Sequence, residues 1–359
     1  MPQSKQILVY RLGSLGDTVV ALPCFHLVRR TFPSAHIVLL TNEPVSGKAA
    51  PAMAILQNSG LCDEVVSYPV GTRSRAKLAK LHQEIRRIQP EIVVNLAASR
   101  GLLKSLRDYV FFRSCGVKKI IGTPFHRRQL RVELCRDGLH ESEAQRLASR
   151  LASLGDLNLA DRELWKLKLT MEEQSSALEL LPLHQRGFMA MSVGTKLVVK
   201  DWGEDNWGKL LALLAKELPD IGLVLLGAPD EWDRSEKLRR FWTGFSWNLC
   251  GKTSPRISAA ILEHARLFIG HDSGPLHLAS AVGIPTLGLF SWFNPPGQWF
   301  PGHRDWKTNK VLYPPLPAGG WHIGLQMKHG AADGIQLTKP DDVFRSAMEL
   351  WRAKSSQST

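Results

Sequence analysis

Gly270-His271-Asp272-Ser273-Gly274-Pro275-Leu276-His277-Leu278-Ala279 gathers an acid, a capping serine, a glycine, a proline and a histidine into one short turn. Before it, Arg266-Leu-Phe-Ile-Gly270 is an apolar run of the buried-strand type, and after it Leu276, Leu278, Ala279, Ala281 and Val282 make a largely apolar helical segment. The pattern predicts a strand emptying into a helix, with a ligand's place at the turn. Ser273 suits the N-cap, Gly274 lets a ligand approach the backbone, and Pro275 fits the first helical position, where its missing donor would be unpaired anyway. Such a helix terminus attracts phosphate or carboxylate. Asp272 and His277 suit another task, hydrogen-bonding to hydroxyls with the imidazole neutral, because an acid repels phosphate. The alternative reading makes Asp272 and Ser273 caps alone and His277 a satisfied buried histidine.

At the amino end, Gln6-Ile-Leu-Val-Tyr10 reads as a strand, followed by Arg11-Leu-Gly13-Ser14-Leu-Gly16-Asp17 and a helix from about Thr18 to Arg30. Two glycines three apart permit tight backbone geometry, but G-x-G-x-x-G is missing and no acid closes a second strand, which argues against a nicotinamide cofactor. Asp17 taken alone reads more readily as a helix cap, and a functional role for it rests on its company.

A third loop, Gly194-Thr195-Lys196-Leu-Val-Val-Lys200-Asp201-Trp202, follows the strand Phe188-Met-Ala-Met-Ser-Val193 and precedes a helix starting near Asp205. Two lysines four apart at a strand exit can neutralise a diphosphate. Lys196 alone reads more readily as a solvated surface charge, whereas Trp202 beside Lys200 points to a packed segment. A fourth strand, Ile221 to Leu226, runs into Gly227-Ala-Pro-Asp230-Glu231, where a carboxylate can hold a ribose or simply face solvent.

Together these elements resemble glycosyltransferase family 9, the heptosyltransferases of the lipopolysaccharide inner core. The resemblance rests on Ile7 to Asp17 with Leu22-Pro23, on Phe32-Pro33, on Gly194 to Trp202, on Asn248 to Thr253, and on Phe268 to Pro285 with Leu289-Phe290. It implies an α/β protein of the GT-B glycosyltransferase fold, two Rossmann-like domains with parallel sheets facing across a cleft. It also implies inverting, metal-independent transfer from a nucleotide-diphosphate sugar, usually ADP-heptose, to a Kdo or heptose of an anionic lipid-linked acceptor, with no cofactor. On that resemblance Asp17 is the catalytic base, with Gly13, Ser14 and Gly16 on the acceptor side. Thr195, Lys196 and Lys200 fall at the donor phosphates, Asp230 or Glu231 at the ribose, and Asp272, Ser273, Gly274, Pro275 and His277 around the diphosphate and sugar. The chemistry suits these residue types, since an attacking hydroxyl must lose its proton and a departing diphosphate gathers negative charge. One departure stands out: after Phe290 the family's small polar run is replaced by Ser291-Trp-Phe-Asn-Pro-Pro-Gly-Gln-Trp-Phe300. Its four aromatics suit stacking on a sugar or base, or a local hydrophobic plug.

A chain of 359 residues suits two domains of ordinary size. Strands expected at Ile7 to Tyr10, Ile37 to Leu40, Ile92 to Leu96, Phe188 to Val193, Ile221 to Leu226, Leu267 to Gly270 and Thr286 to Phe290 alternate with helices, which predicts parallel sheets covered on both faces. The expected division is an acceptor-binding domain over 1–175, a nucleotide-sugar domain over 186–338 with a linker near 181–187, and a last helix and tail over 339–359. That helix is considered for a return onto the first domain, and the tail is expected to be disordered.

No run of eighteen apolar residues exists and the start lacks the apolar core of a secretion signal, so the expected place is the cytoplasm. Five scattered cysteines read as reduced thiols. The net charge of +13 is densest between Arg100 and Arg136. That basic field suits an acidic, phosphorylated acceptor and peripheral contact with the inner face of the inner membrane, with Arg127 and Arg128 as acceptor-side candidates. No nucleic-acid module accompanies it, so nucleic acid is not expected as a partner. Three readings compete: a heptosyltransferase-like enzyme, a relative using another sugar or none, and a basic nucleic-acid or membrane-surface protein. The first is the expectation carried forward.

Overall fold

Ile7, Leu8 and Val9 are fully buried in β1 (Gln6–Tyr10), as are Ile37, Val38 and Leu39 in β2 (His36–Asn42), because each strand is covered on both faces. The computed structural model describes residues 4–43, 50–181, 187–316 and 333–355; most of the expected linker and the tail after Ser355 lie outside them. By internal contacts the chain divides into two units, Met1–Lys168 and Leu169–Thr359.

In the first unit β3 (Glu64–Tyr68), β4 (Ile92–Asn95) and β5 (Lys119–Ile121) join β1 and β2 in a parallel sheet of order β3-β2-β1-β4-β5. Its helices are α1 (Leu15–Val20), α2 (Leu22–Thr31), α3 (Met53–Leu56), α4 (Arg75–Ile88), α5 (Leu102–Ser114), α6 (Arg127–Leu130) and α7 (Glu143–Arg150). Leu81 and Ile85 of α4 and Phe112 of α5 pack with Leu8, Val38 and Val93 to make a core. The single helix expected from Thr18 to Arg30 begins earlier and breaks at Ala21, where Pro23 near the start of α2 has no N–H to continue the ladder.

The second unit starts with α8 (Met171–Leu180) and continues through β6 (Phe188–Ser192), α9 (Glu204–Glu217), β7 (Gly222–Leu225), α10 (Trp232–Arg239), β8 (Ser246–Asn248) and α11 (Pro255–Glu263). It ends with β9 (Phe268–His271), α12 (Gly274–Ala281), β10 (Thr286–Leu289), β11 (Asn309–Leu312), α13 (Asp333–Gln336) and α14 (Pro340–Ser355). Its parallel sheet has the order β11-β10-β9-β6-β7-β8. Arg256 of α11 grips Glu173 of α8 through two hydrogen bonds of 2.5 and 2.8 Å, so α8 belongs here and the division falls after Lys168 rather than near 175. α14, considered for a return onto the first domain, packs on α9 through Val343, Ala347 and Trp351, and Arg352 meets Glu217 at 3.2 Å. Full burial of a side chain such as Val343 contributes roughly 1.5–3 kcal/mol of transfer free energy.

In both sheets the strand order reverses beside the unit's first strand, at β1/β4 and at β6/β9. Loops leaving the carboxyl ends of strands at such a reversal are where open α/β sheets take ligands.

Candidate functional site

In the second unit, the loops leaving β6 and β9 are tied together by a histidine to which the local sequence pattern gives no role. His271 Nδ1 donates to Gly194 O at 3.2 Å, and its Nε2 accepts from Trp202 N at 3.0 Å, an assignment of the ring proton that follows from the two partners. Burial holds the imidazole neutral, pushing its pKa down to about 4, and the Trp207 ring stands perpendicular to it with centroids 5.2 Å apart. Trp202, fully buried as its place beside Lys200 predicts, donates from Nε1 to Thr338 O at 2.8 Å. Asp201 accepts two hydrogen bonds of 2.7 Å from Arg234 of α10, so the loop is pinned at two consecutive residues, Asp201 and Trp202.

That pinning delivers Lys200 to Asp272, with Nζ 2.5 Å from Oδ2 and 3.4 Å from the backbone oxygen. Burial alone would raise the carboxyl pKa; the ammonium beside it, with His277, brings it down to about 2. His277 Nε2 lies 3.7 Å from the other carboxylate oxygen, and Asn294 Nδ2 donates to Oδ2 at 3.3 Å. The sequence pattern assigned Lys200 to phosphate and Asp272 to hydroxyls separately, whereas here they form one unit in which the acid holds the cation.

Ser273 occupies the N-cap of α12, but its side chain makes no cap hydrogen bond. Gly274 and Pro275 are the first two helical residues, so Pro275 sits one place later than the sequence pattern predicts, and its missing N–H removes one donor from the first turn. Ser273 Oγ and His277 Nδ1 are both buried and have no hydrogen-bond partner among the described residues.

Of the two acids after β7, Glu231 reaches inward. Its Oε2 accepts from Ala228 N at 3.0 Å, and a Cβ placed on Gly194 or on Gly227 would collide with its carboxyl group. Burial raises its pKa. Asp230 and Lys196 are exposed, with Lys196 near enough to Glu231 to favour its charged form, and Thr195 is half-buried. The aromatic segment packs on its own unit: Trp292 stacks on Tyr313 with centroids 4.7 Å apart, and Gly297 N donates to the Tyr313 hydroxyl at 3.0 Å.

In the first unit, Asp17 stands in the opening turn of α1. Its Oδ2 accepts from Ser14 N at 2.8 Å and from Ser14 Oγ at 3.1 Å, so the capping role open to it in the sequence is realised. Gly13 has φ +134°, and a Cβ there would strike the Asp17 side chain; its N–H donates to Asn42 Oδ1 at 2.7 Å. Gly16 is buried within α1. Beneath the turn, the fully buried Arg11 donates to Leu96 O at 2.6 Å and to Asp17 O, with its guanidinium 3.9 Å from Asp17 Oδ1. The local sequence pattern gives Arg11 no role of its own; the signal for it is a charged residue at the end of a buried strand. Arg127 and Arg128 are exposed on α6, and Arg128 pairs with Glu133 at 3.2 Å.

A family model for glycosyltransferase family 9 (heptosyltransferase) matches residues 75–307. The chain is 24% identical over 315 residues to lipopolysaccharide heptosyltransferase 1 of Pseudomonas aeruginosa, a match covering 81% of this chain and 79% of that protein. It spans only 38% and 30% of the lengths of two further heptosyltransferase relatives. A solved glycosyltransferase family 9 structure from Veillonella parvula gives a TM-score of 0.72 at 18% identity, covering 98% of this chain and 99% of that one. Escherichia coli heptosyltransferase WaaC, solved with ADP, gives 0.64 at 17% identity, covering 96% and 99%. These likenesses carry the fold, two parallel-sheet Rossmann-like domains of the GT-B type. With the family model spanning well over half of its length, the chain belongs to glycosyltransferase family 9, the heptosyltransferases.

Proposed function

We propose that this chain is an inverting glycosyltransferase that moves a heptose from ADP-heptose to a Kdo or heptose hydroxyl of an acidic, lipid-linked lipopolysaccharide core. The observation that carries this reading is the Lys200 and Asp272 pair at the β6/β9 reversal, beside the first turn of α12. Lys200, held by Asp272, and the N–H groups opening α12 take the diphosphate. Glu231 accepts from the ribose hydroxyls, while Ser273 Oγ and His277 Nδ1 bond to donor oxygens. WaaC's solution with ADP supports adenine as the base.

In the reaction the acceptor oxygen forms its bond to the anomeric carbon from the face opposite the leaving group. The bond from that carbon to the diphosphate oxygen breaks and ADP leaves with the electron pair. The hydroxyl proton passes to Asp17, at the oxygen not already bonded to Ser14. Lys200 and the helix terminus stabilise the charge that grows on the departing diphosphate, without a metal ion.

Two measurements test this. A thermal-shift titration with ADP, UDP, GDP and CMP is expected to show selective stabilisation by ADP, since a ligand that binds only the folded state raises its melting temperature. Acceptor-dependent ADP release from ADP-heptose tests transfer itself. A second reading, another sugar on the same scaffold, is favoured by Asn294, which the departing aromatic segment brings onto Asp272. ADP stabilisation without heptose transfer would select it, and stabilisation by another nucleotide alone would remove the ADP donor.

A further inference from the structure

α5 carries its aliphatic side chains on the arc turned away from the core. At about 100° per residue, Leu102, Leu106, Val110 and Leu103 fall within a single arc of about 100°. They are 51%, 49%, 56% and 82% exposed. The buried arc holds Ser105, Asp108 and Phe112 instead. Asp108, the only acid of the helix, is engaged by Arg100 at 2.5 Å and Arg107 at 2.8 Å, so no carboxylate interrupts the exposed face. Single exposed leucines are ordinary, but four large aliphatic groups adjoining on one helix face form a patch.

The surroundings are basic. Lys104, Arg107 and Arg113 are exposed on α5 itself, and Arg127 and Arg128 are exposed on α6. α5 and α6 follow β4 and β5, so the loops leading to them leave the carboxyl ends of the parallel strands, as does the turn that carries Asp17 after β1. A second copy of the chain meeting this face symmetrically would bring like charges together. A surface offering apolar depth and phosphate groups matches both halves of the pattern.

We propose that α5 docks on an anionic lipid bilayer, with the Leu102, Leu103, Leu106 and Val110 face entering the interfacial zone and the neighbouring Arg side chains meeting lipid phosphates. This deepens the functional reading above, resting on an acceptor that is lipid-linked, and its vesicle-binding test contains neither donor nor acceptor, so that it can succeed or fail independently of that reading. The full chain is floated with vesicles of phosphatidylglycerol in phosphatidylcholine and with phosphatidylcholine alone, and its mass is measured by light scattering. Wild type is expected to float with the anionic vesicles. The double variant Leu103→Asp/Leu106→Asp is expected to lose about tenfold or more of that binding, and Arg107→Ser, beside the apolar arc, about fivefold. Leu103→Ser, at the most exposed of the four positions, gives the same direction of change should the double variant fail to fold. Turnover of a lipid-free acceptor fragment stays at the wild-type level in the leucine variants, which separates docking from catalysis. Three results overturn the proposal: no vesicle binding by wild type, binding indifferent to the leucine variants, or a wild-type dimer that those variants split.

Discussion

Lys200 Nζ lies 2.5 Å from Asp272 Oδ2, joining two strand exits 72 residues apart in the chain. Both side chains are largely buried, so removing either charge leaves the other uncompensated. Asp272→Asn is expected to cost about 3 kcal/mol of stability, Lys200→Met a similar amount, and the double variant clearly less than the sum. The pH dependence has a definite sign. A carboxyl lowered from 3.8 to about 2 contributes stability that is complete above the unfolded value and is lost as the pH falls toward 2. About 2 kcal/mol of the wild-type loss in that window should vanish in Asp272→Asn. Denaturant titrations of both proteins at a series of acid pH values measure it; equal acid slopes would mean that the pair does not act as described.

His271 makes the opposite kind of contribution, as a group kept neutral. Its pKa is lowered by burial from 6.5 to about 4, so on acidification the unfolded chain takes up a proton that the folded chain refuses. Stability from this residue is therefore complete above about 6.5 and declines as the pH falls toward 4. His271→Gln should remove close to one proton from the pH slope of unfolding in that interval. It should also weaken ADP binding, because the Gly194 and Trp202 backbone contacts are disturbed. A slope unchanged from wild type would exclude a neutral buried imidazole at this position.

The edges of the sheets mark the limit of what could be read from the chain. The central strands around Ile7, Ile37, Ile92, Phe188, Phe268 and Thr286 are short apolar runs because both faces are covered, and they stand out. The four strands not anticipated, β3, β5, β8 and β11, are the four edge strands, whose segments such as Glu64 to Tyr68 and Asn309 to Leu312 mix polar and apolar side chains. The candidate site shows the same division. Loops at strand exits were visible in Gly194 to Trp202 and in Gly270 to Ala279. The grip of Lys200 on Asp272, the histidine beneath it and the inward turn of Glu231 depend on the register of β6 against β9, in which Ser192 pairs with Gly270, and no local pattern encodes that.

Gly194 and Gly227 exist in their present form because the Glu231 carboxyl group fills the space a side chain would need. Gly194→Ala is therefore expected to push Glu231 aside, costing about 1–3 kcal/mol of stability and about tenfold in ADP affinity. Combining it with Glu231→Ala should restore most of the stability, since the colliding atoms are gone, while donor affinity stays low. Melting curves with and without ADP for the two single variants and the double variant check both parts. Restored ADP affinity in the double variant would remove Glu231 from the donor site.

Asp17 has two separable roles, and an isosteric substitution divides them. The oxygen bonded to Ser14 caps α1, a service an asparagine oxygen also performs, so Asp17→Asn should change stability by well under about 1 kcal/mol, whereas Asp17→Ala should cost about that much. An amide cannot accept the acceptor's proton, so both variants should lose about a hundredfold or more in kcat. Neither should alter the ADP-induced rise in melting temperature, because the donor groups lie in the other unit. If Asp17→Asn keeps wild-type turnover while Asp17→Ala loses it together with stability, Asp17 is a cap alone and the base must be sought elsewhere in the first unit. If both lose turnover and Asp17→Asn keeps its stability, the cap and the chemistry are distinct and the carboxylate is the base.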